Sequence, residues 1–367
     1  MKKKLRSGFT TGTSAAAATK GALRLIVEGR KPSAVNIRLL TGDQITIPIQ
    51  RCRSEQEGRA ECSVIKDAGD DPDVTHKAEI GARVSLKKTT AGSKSRSGPT
   101  VVIRGGEGVG RVTRPGLEVP PGQPAINPGP RKMIAEAVDD VLGSAGTDFS
   151  VNIEIFVPRG RELARKTLNA RLGILDGISI LGTTGVVRPM SHDAFIATIR
   201  SALSVARASG VAKVVLTTGR RSERFAQQLW PNLGEEGFVQ MGDFFKMSLE
   251  AASALDFERV VLAVFFGKAL KMARGVPHTH AAKASLTLNK LAEWSLALTG
   301  NRELANKILA ANTARHAFDI IGRDYPEVIA HVGQRIVQSA QLFAGKDVEI
   351  QAVIFNYKGQ VVFDSGG

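Results

Sequence analysis

The sequence predicts an α+β N-terminal part followed by an α/β part with a mostly parallel sheet. Up to about residue 170, strand-like and helix-like segments mix without a βαβ rhythm. Beyond it, strand, Gly/Thr turn and helix recur three times. Gly177–Leu181 ends in Gly182, Thr183, Thr184 and Gly185; Ala212–Leu216 ends in Thr217, Thr218 and Gly219; Arg259–Phe266 ends in Gly267 and Lys268. A length of 367 residues suits two domains, placed at 1–170 and 171–367.

The elements follow in order. Gly8 and Gly12 bracket Thr10 and Thr11, and Thr13 and Ser14 stand in capping positions ahead of four alanines, so a helix runs to about Glu28. Ala34–Leu40 and Gln44–Gln50 read as strands joined by a Thr41–Gly42–Asp43 turn. Glu61–Lys66, Ala82–Lys87 and Thr100–Arg104 are further strands, and the Gly- and Pro-rich stretch 105–130 excludes regular structure. Asn127–Arg131 opens a helix on proline, Val151–Val157 is a strand and Arg161–Asn169 a helix. In the second part, helices are expected at Asp193–Ser209, Glu223–Leu229, Ala269–Arg274, Asn301–Ile321 and Pro326–Leu342. A hairpin, Val348–Phe355 and Gln360–Asp364, closes the chain.

Hydrophobic content of 43% with 23% charge describes an ordinary globular chain. No apolar run reaches the roughly 18 residues of a membrane span, and the basic start lacks a signal-peptide apolar stretch. Cys52 and Cys62 read as two free thiols, and the chain as cytoplasmic. The net charge of +15 favours an anionic partner. Basic residues spread along the chain, among them the run Lys87–Arg96. Only 5% of residues are aromatic, so no stacking platform for single-stranded nucleic acid is evident. A multiply charged small ligand fits better than nucleic acid or a membrane.

Thr10, Thr11, Gly12, Thr13 and Ser14 combine hydroxyls with a helix N-terminus, a seat for a phosphate or carboxylate. The plainer reading is a capped helix whose alanine face packs on a sheet. Gly182–Gly185 and Thr217–Gly219, on one predicted sheet edge, suit a nucleoside-bearing cofactor. Gly105–Gly110 lacks the Gly–Lys–Ser/Thr of a phosphate loop. Asp67, Asp70, Asp71, Asp73, Thr75 and His76 crowd ten residues; they can position a substrate, or simply build Asx turns. Pro72 disturbs calcium-loop spacing, and His278 and His280 have no nearby cysteine or acid in sequence, so no metal site is assigned. No acyl-enzyme nucleophile motif is present.

These segments together resemble the cobalt-precorrin-5B C1-methyltransferases of anaerobic cobalamin biosynthesis. The resemblance rests on LRSGFTTGTSAAAATKGAL (Leu5–Leu23), KDAGDDPDVTHKAEI (Lys66–Ile80) and GEGVGRVTRPGL (Gly106–Leu117). It continues in PAINPGPRKMI (Pro124–Ile134), LGILDGISILGTTGVVRPMS (Leu172–Ser191), TTGRRSERFA (Thr217–Ala226) and GKALKMARGVPHTH (Gly267–His280). It departs at Ser14, where a cysteine is common, and at Ala281–Ser285, where a polar stretch ending in aspartate is usual. What it implies is methyl transfer from S-adenosyl-L-methionine to C1 of a cobalt-bearing, anionic corrinoid, on an α+β domain and a Rossmann-like domain.

On that basis the donor is expected at Gly182–Gly185 and Thr217–Gly219. The substrate is expected between the domains, against Thr10–Ser14, Asp73, Thr75 and His280. Alignment of the reactants can supply on the order of 7–11 kcal/mol of acceleration. Asp70, Asp71 or His76 is the candidate proton acceptor. An oligomer is compatible with the sequence. The alternatives are a small-molecule kinase with Thr10–Ser14 as phosphate cradle, and a nucleic-acid binder using the net charge.

Overall fold

Four alanines with no side chain beyond Cβ let the opening helix lie close on a sheet. The computed structural model describes residues 5–88, 99–143, 149–280, 284–322, 324–345 and 347–366. In it β1 (Gly8–Phe9) leads into α1 (Thr11–Glu28); the Thr10 side chain accepts from Thr13 N–H, and Gly29 ends the helix at φ 69°. A hairpin, β2 (Ala34–Arg38) and β3 (Gln44–Pro48), follows. Next come β4 (Arg51–Gln56), β5 (Arg59–Ile65), β6 (Glu79–Lys88), β7 (Thr100–Gly105), β8 (Arg111–Val112), α2 (Pro128–Leu142) and β9 (Phe149–Phe156). The short α3 (Gly160–Ala164), β10 (Ile174–Leu175) and β11 (Val186–Val187) complete the first unit, Met1–His192. Its main sheet has the order β4-β5-β6-β9-β7, antiparallel except for β7 on β9. Ala15–Ala18, Ala22 and Leu23 of α1, all fully buried, share one core with α2 and the sheet's Ile80, Ala82 and Ile153.

The second unit, Asp193–Gly367, is built differently. Its elements are α4 (His192–Ala208), β12 (Lys213–Thr217), α5 (Arg220–Leu229), β13 (Phe238–Gln240), α6 (Phe245–Ser253), β14 (Arg259–Phe265) and α7 (Phe266–Ala273). Then come α8 (Ala284–Thr299), α9 (Arg302–Leu309), α10 (Ala314–Ile321), α11 (Pro326–Ala344), β15 (Glu349–Phe355) and β16 (Val361–Asp364). The sheet order is β13-β12-β14-β15-β16, parallel but for β16. Both faces are covered. Val260, Leu262 and Val264 enter a core with α4, α6, α7 and α11, while Val261 and Ala263 pack with Ala226 of α5 and Phe355. A sheet buried on both sides needs near-continuous apolar strands, and β14 is apolar from Val260 to Phe265.

The mixed α/β class expected from sequence is what the structure has, with corrections. Gly177–Leu181 is no strand of the parallel sheet. Ile178 and Ile180 form single bridges to Val109 and Ile126, inside the first unit. The run forms only isolated bridges, and its one glycine, Gly177, lies against the Gly108–Val109 backbone. β4 and the three-residue β13 were not expected. The helix foreseen over 301–321 is two, divided at Ala310–Thr313, where Thr313 caps α10. Cys52 and Cys62, expected as free thiols, are directly opposed across β4 and β5 with Cα atoms 4.1 Å apart, and are joined as a disulfide. Most of the basic run Lys87–Arg96, and Ala281–Lys283, lie outside the described residues.

Candidate functional site

In an open parallel sheet, ligands gather at the carboxyl ends of strands, where strand order reverses direction. Here β12 lies between β13 and β14, so the reversal falls at β12. β12 ends in Thr217, β13 leads to Asp243, and β14 runs into Lys268 at the start of α7. Met241 N–H donates to Thr217 O at 2.8 Å, tying the first two ends together.

Thr217 is fully buried, and among the described residues its Oγ1 has no hydrogen-bond partner. A buried hydroxyl without a partner is costly in a core and ordinary in a binding site. The loop after it is fixed: Ser222 Oγ accepts from Thr218 N–H at 3.2 Å and donates to Gly219 O at 3.0 Å. A Cβ at Gly219 would meet nothing within 4 Å, so this turn faces open space. Arg220 and Arg221 begin α5 beside it. Arg221 lies over the Phe265 ring (5.1 Å), Phe265 stacks on Tyr357 (5.8 Å), and Arg315 covers Tyr357 (4.8 Å). Burial raises the Tyr357 phenol above its usual pKa.

Around Asp243 the same edge carries a dense polar cluster. Lys268 Nζ pairs with Asp243 Oδ1, and Thr279 Oγ1 donates to that oxygen at 2.7 Å. Thr279 N–H donates to Asp243 O at 2.9 Å, and Lys271 Nζ to Thr279 O at 2.7 Å. Asp243 Oδ2 is 3.4 Å from His280 Nδ1, and the His280 side chain is 80% exposed. Burial acts to raise the Asp243 pKa, but the bonds from Lys268 and Thr279 and the nearby charges outweigh it and hold the carboxyl below its usual value. The His278 ring meets Phe244 edge-on at 4.8 Å. Sequence reasoning singled out His280 and missed Asp243, because a strand of three residues has no readable alternation.

The other expected site residues lie in the first unit. Thr10–Ser14 are buried, and their hydroxyls have protein partners. Thr11 Oγ1 accepts from Leu181 N–H (2.8 Å) and lies 3.1 Å from Leu181 O; Thr13 Oγ1 donates to Gly185 O (2.7 Å); Ser14 Oγ donates to Thr10 O (3.0 Å). The helix N-terminus thus bonds to the chain's own 179–187 segment. Gly182 is glycine for contact: a Cβ there would collide with Thr10 Oγ1. Gly182–Gly185 and Thr217–Gly219 therefore do not share a sheet edge. Thr183 and Thr184 stay with the former, and Thr184 Oγ1 closes a local turn with Val186.

The acidic loop is likewise internally bonded. Asp67 pairs with Arg6, whose hydrogen bonds hold its carboxyl below its usual pKa. Asp70 Oδ2 accepts from Arg6 N–H at 2.7 Å, and Asp71 Oδ1 from Met190 N–H at 2.9 Å. Asp73 binds the buried Lys66 and, through Oδ1, Thr75 N–H (2.7 Å) and Thr75 Oγ1 (2.6 Å). His76 Nδ1 accepts from Ala68 N–H at 3.1 Å. This is the Asx-turn arrangement. Among the described residues no group of three or more His, Cys, Asp or Glu could hold a metal, and no helix is long and apolar enough to cross a membrane.

Comparison with known proteins adds the family. Residues 1–189 match the model described as CbiD, and residues 278–366 that described as CbiD, C-terminal domain. A protein of Geobacillus thermodenitrificans named cobalt-precorrin-5B C(1)-methyltransferase is 46% identical over 320 residues, 87% of this chain and 83% of that one. One of the same name from Leptospira borgpetersenii serovar Hardjo-bovis is 40% identical over 362 residues, 98% and 95% of the two chains. The crystal structure of the cobalamin biosynthesis protein cbiD from Archaeoglobus fulgidus is 27% identical, covers 72% of this chain and 78% of its own, and superposes with a TM-score of 0.40. With both its ends matched and its relatives aligned along nearly all of their length, this chain belongs to the CbiD family.

Proposed function

We propose that this chain is a methyltransferase of cobalamin biosynthesis. It moves a methyl group from S-adenosyl-L-methionine to C1 of cobalt-precorrin-5B, giving cobalt-precorrin-6A, in the cytoplasm. The observation that carries the reading is 40–46% identity, over most of the chain, to proteins named for that reaction. We take the second unit, with its mostly parallel sheet of order β13-β12-β14-β15-β16, to be the donor-binding part.

The residues at the β12 end suit a nucleoside-bearing donor. The Thr217 hydroxyl, at the strand end, has no hydrogen-bond partner among the described residues, and Gly219 leaves room for close approach. Bound there, the donor supplies an electrophilic methyl group. Arg220, Arg221 and Arg315, exposed on the same unit, offer charge-assisted bonds to the carboxylate arms of the ring. A net charge of +15 draws such a polyanion from solution.

Calorimetric titration with S-adenosyl-L-methionine, followed by mass spectrometry of cobalt-precorrin-5B incubated with donor and enzyme, tests this. Saturable binding and a gain of one methyl group are expected. A chain that binds no donor and leaves the ring unchanged refutes the reading.

A further inference from the structure

A bound nucleoside presents a ribose with two neighbouring hydroxyls, and an ionised carboxylate, which accepts and never donates, matches such a diol. In a strand–helix–strand unit that holds a nucleoside, the turn after the first strand approaches the ligand. An acidic side chain after the second strand takes the ribose hydroxyls. The second unit has that layout: β12 ends at the open Thr217–Gly219 turn, α5 follows, and the loop after the parallel strand β13 carries Asp243. An acid in that place can equally serve an internal ion pair. The partners of its two oxygens separate the two uses.

We propose that Asp243 is the specificity-determining residue for the donor's ribose, accepting hydrogen bonds from its 2′- and 3′-hydroxyls at Oδ2. The inference rests on the donor placement above. Asp243 Oδ1 is committed: Lys268 Nζ and Thr279 Oγ1 both bond to it. Oδ2 takes no hydrogen bond among the described residues, and the His280 ring that approaches it to 3.4 Å is exposed and free to turn aside. The Asp243 side chain is 25% exposed, so a ligand can reach it. The carboxylate is also fixed in place, because the Thr279 amide bonds to its backbone carbonyl. Lys268 lies in the first turn of α7, just beyond β14, so the pair links the ends of the two strands that flank β12. The carboxyl stays below its usual pKa and is ionised at neutral pH, an acceptor only. The donor's α-ammonium fits this place less well. Lys268 and Lys271 around the single carboxylate leave a surplus positive charge, which repels a cation and not a neutral diol.

Two measurements on the full chain test it, with S-adenosylhomocysteine and its 2′,3′-dideoxy analogue as probes. By calorimetry, the wild type should bind the dideoxy analogue about 10–100-fold more weakly. In Asp243→Asn that gap should narrow to within about threefold, whatever happens to the two affinities together. The ratio cancels any general loosening of the loop, which is all that a merely structural aspartate would produce. A wild type that binds the two alike, or a variant that keeps the full gap, overturns the proposal. Second, a crystal of the wild-type chain with S-adenosylhomocysteine, which needs no variant, should place both hydroxyls about 2.5–3.0 Å from Asp243 Oδ2. A ribose bound elsewhere, or the amino group at that oxygen, overturns the proposal and leaves the methyltransferase standing. A wild type that binds no S-adenosylhomocysteine removes the donor placement and this proposal with it.

Discussion

Lys66 Nζ lies 2.5 Å from Asp73 Oδ2, and the lysine side chain is 1% exposed while the aspartate is 26% exposed. The asymmetry sets the outcome of mutating either partner. Asp73→Asn leaves an ammonium buried without a counter-charge, and should cost the first unit about 3–5 kcal/mol in urea unfolding. Lys66→Met removes the buried charge itself and leaves a carboxylate still bonded to Thr75, so its cost should be much smaller. Equal losses would show that the pair contributes only packing.

The same pair gives a pH dependence. Burial raises the Asp73 pKa, but the charge and hydrogen bond of Lys66 and the bonds from Thr75 prevail, and it is depressed in the folded state. A depressed carboxyl contributes stability above its unfolded value near ~3.9, lost as pH falls through the folded value. The wild type should therefore lose stability more steeply than Asp73→Asn between about pH 5 and 3. Parallel urea midpoints across that window would contradict it.

Thr11 Oγ1 joins α1 to the 179–181 segment, 170 residues away, through the Leu181 amide and carbonyl and Ser179 O. Thr11→Val strands these buried groups and should destabilise by about 1–3 kcal/mol, with faster hydrogen exchange at Leu181 N–H. Thr11→Ser, which keeps the oxygen, should exchange nearly as slowly as wild type.

Thr217→Val makes the opposite test. Its hydroxyl has no partner among the described residues, so folding stability should hold or rise slightly. Affinity for S-adenosylhomocysteine should fall about tenfold, the ~1.4 kcal/mol of one hydrogen bond. Unchanged affinity in calorimetry would place the donor elsewhere.

Gly69 and Gly29 share a left-handed backbone, φ 67° and 69°, but not surroundings. A Cβ at Gly69 collides with the Arg6 carbonyl, whereas one at Gly29 meets nothing within 4 Å. Gly29→Ala should cost about 1 kcal/mol of conformational strain in thermal unfolding. Gly69→Ala should cost clearly more, because the N-terminal segment must also move. Equal melting shifts would mean the contact yields freely.

The amino-acid order alone carried the strong elements. The capped alanine helix, the apolar runs of β12, β14 and β15, and the turns after β12 and β14 are local patterns, legible wherever propensity and burial agree. It also carried the motifs that mark the family. Tertiary structure decided which of these meet. Gly182–Gly185 looks like Thr217–Gly219 in sequence, yet contact with Thr10 and Thr13 places it in another unit. Asp243 follows a strand too short to show periodicity, and meets His280 because the loop after α7 returns to it, with Thr279 N–H bonded to Asp243 O. Hydroxyls that look ligand-ready at Thr11 and Thr13 are consumed by the backbone of distant residues, while that of Thr217 is not; hydrogen bonding over such separations is invisible to any local window.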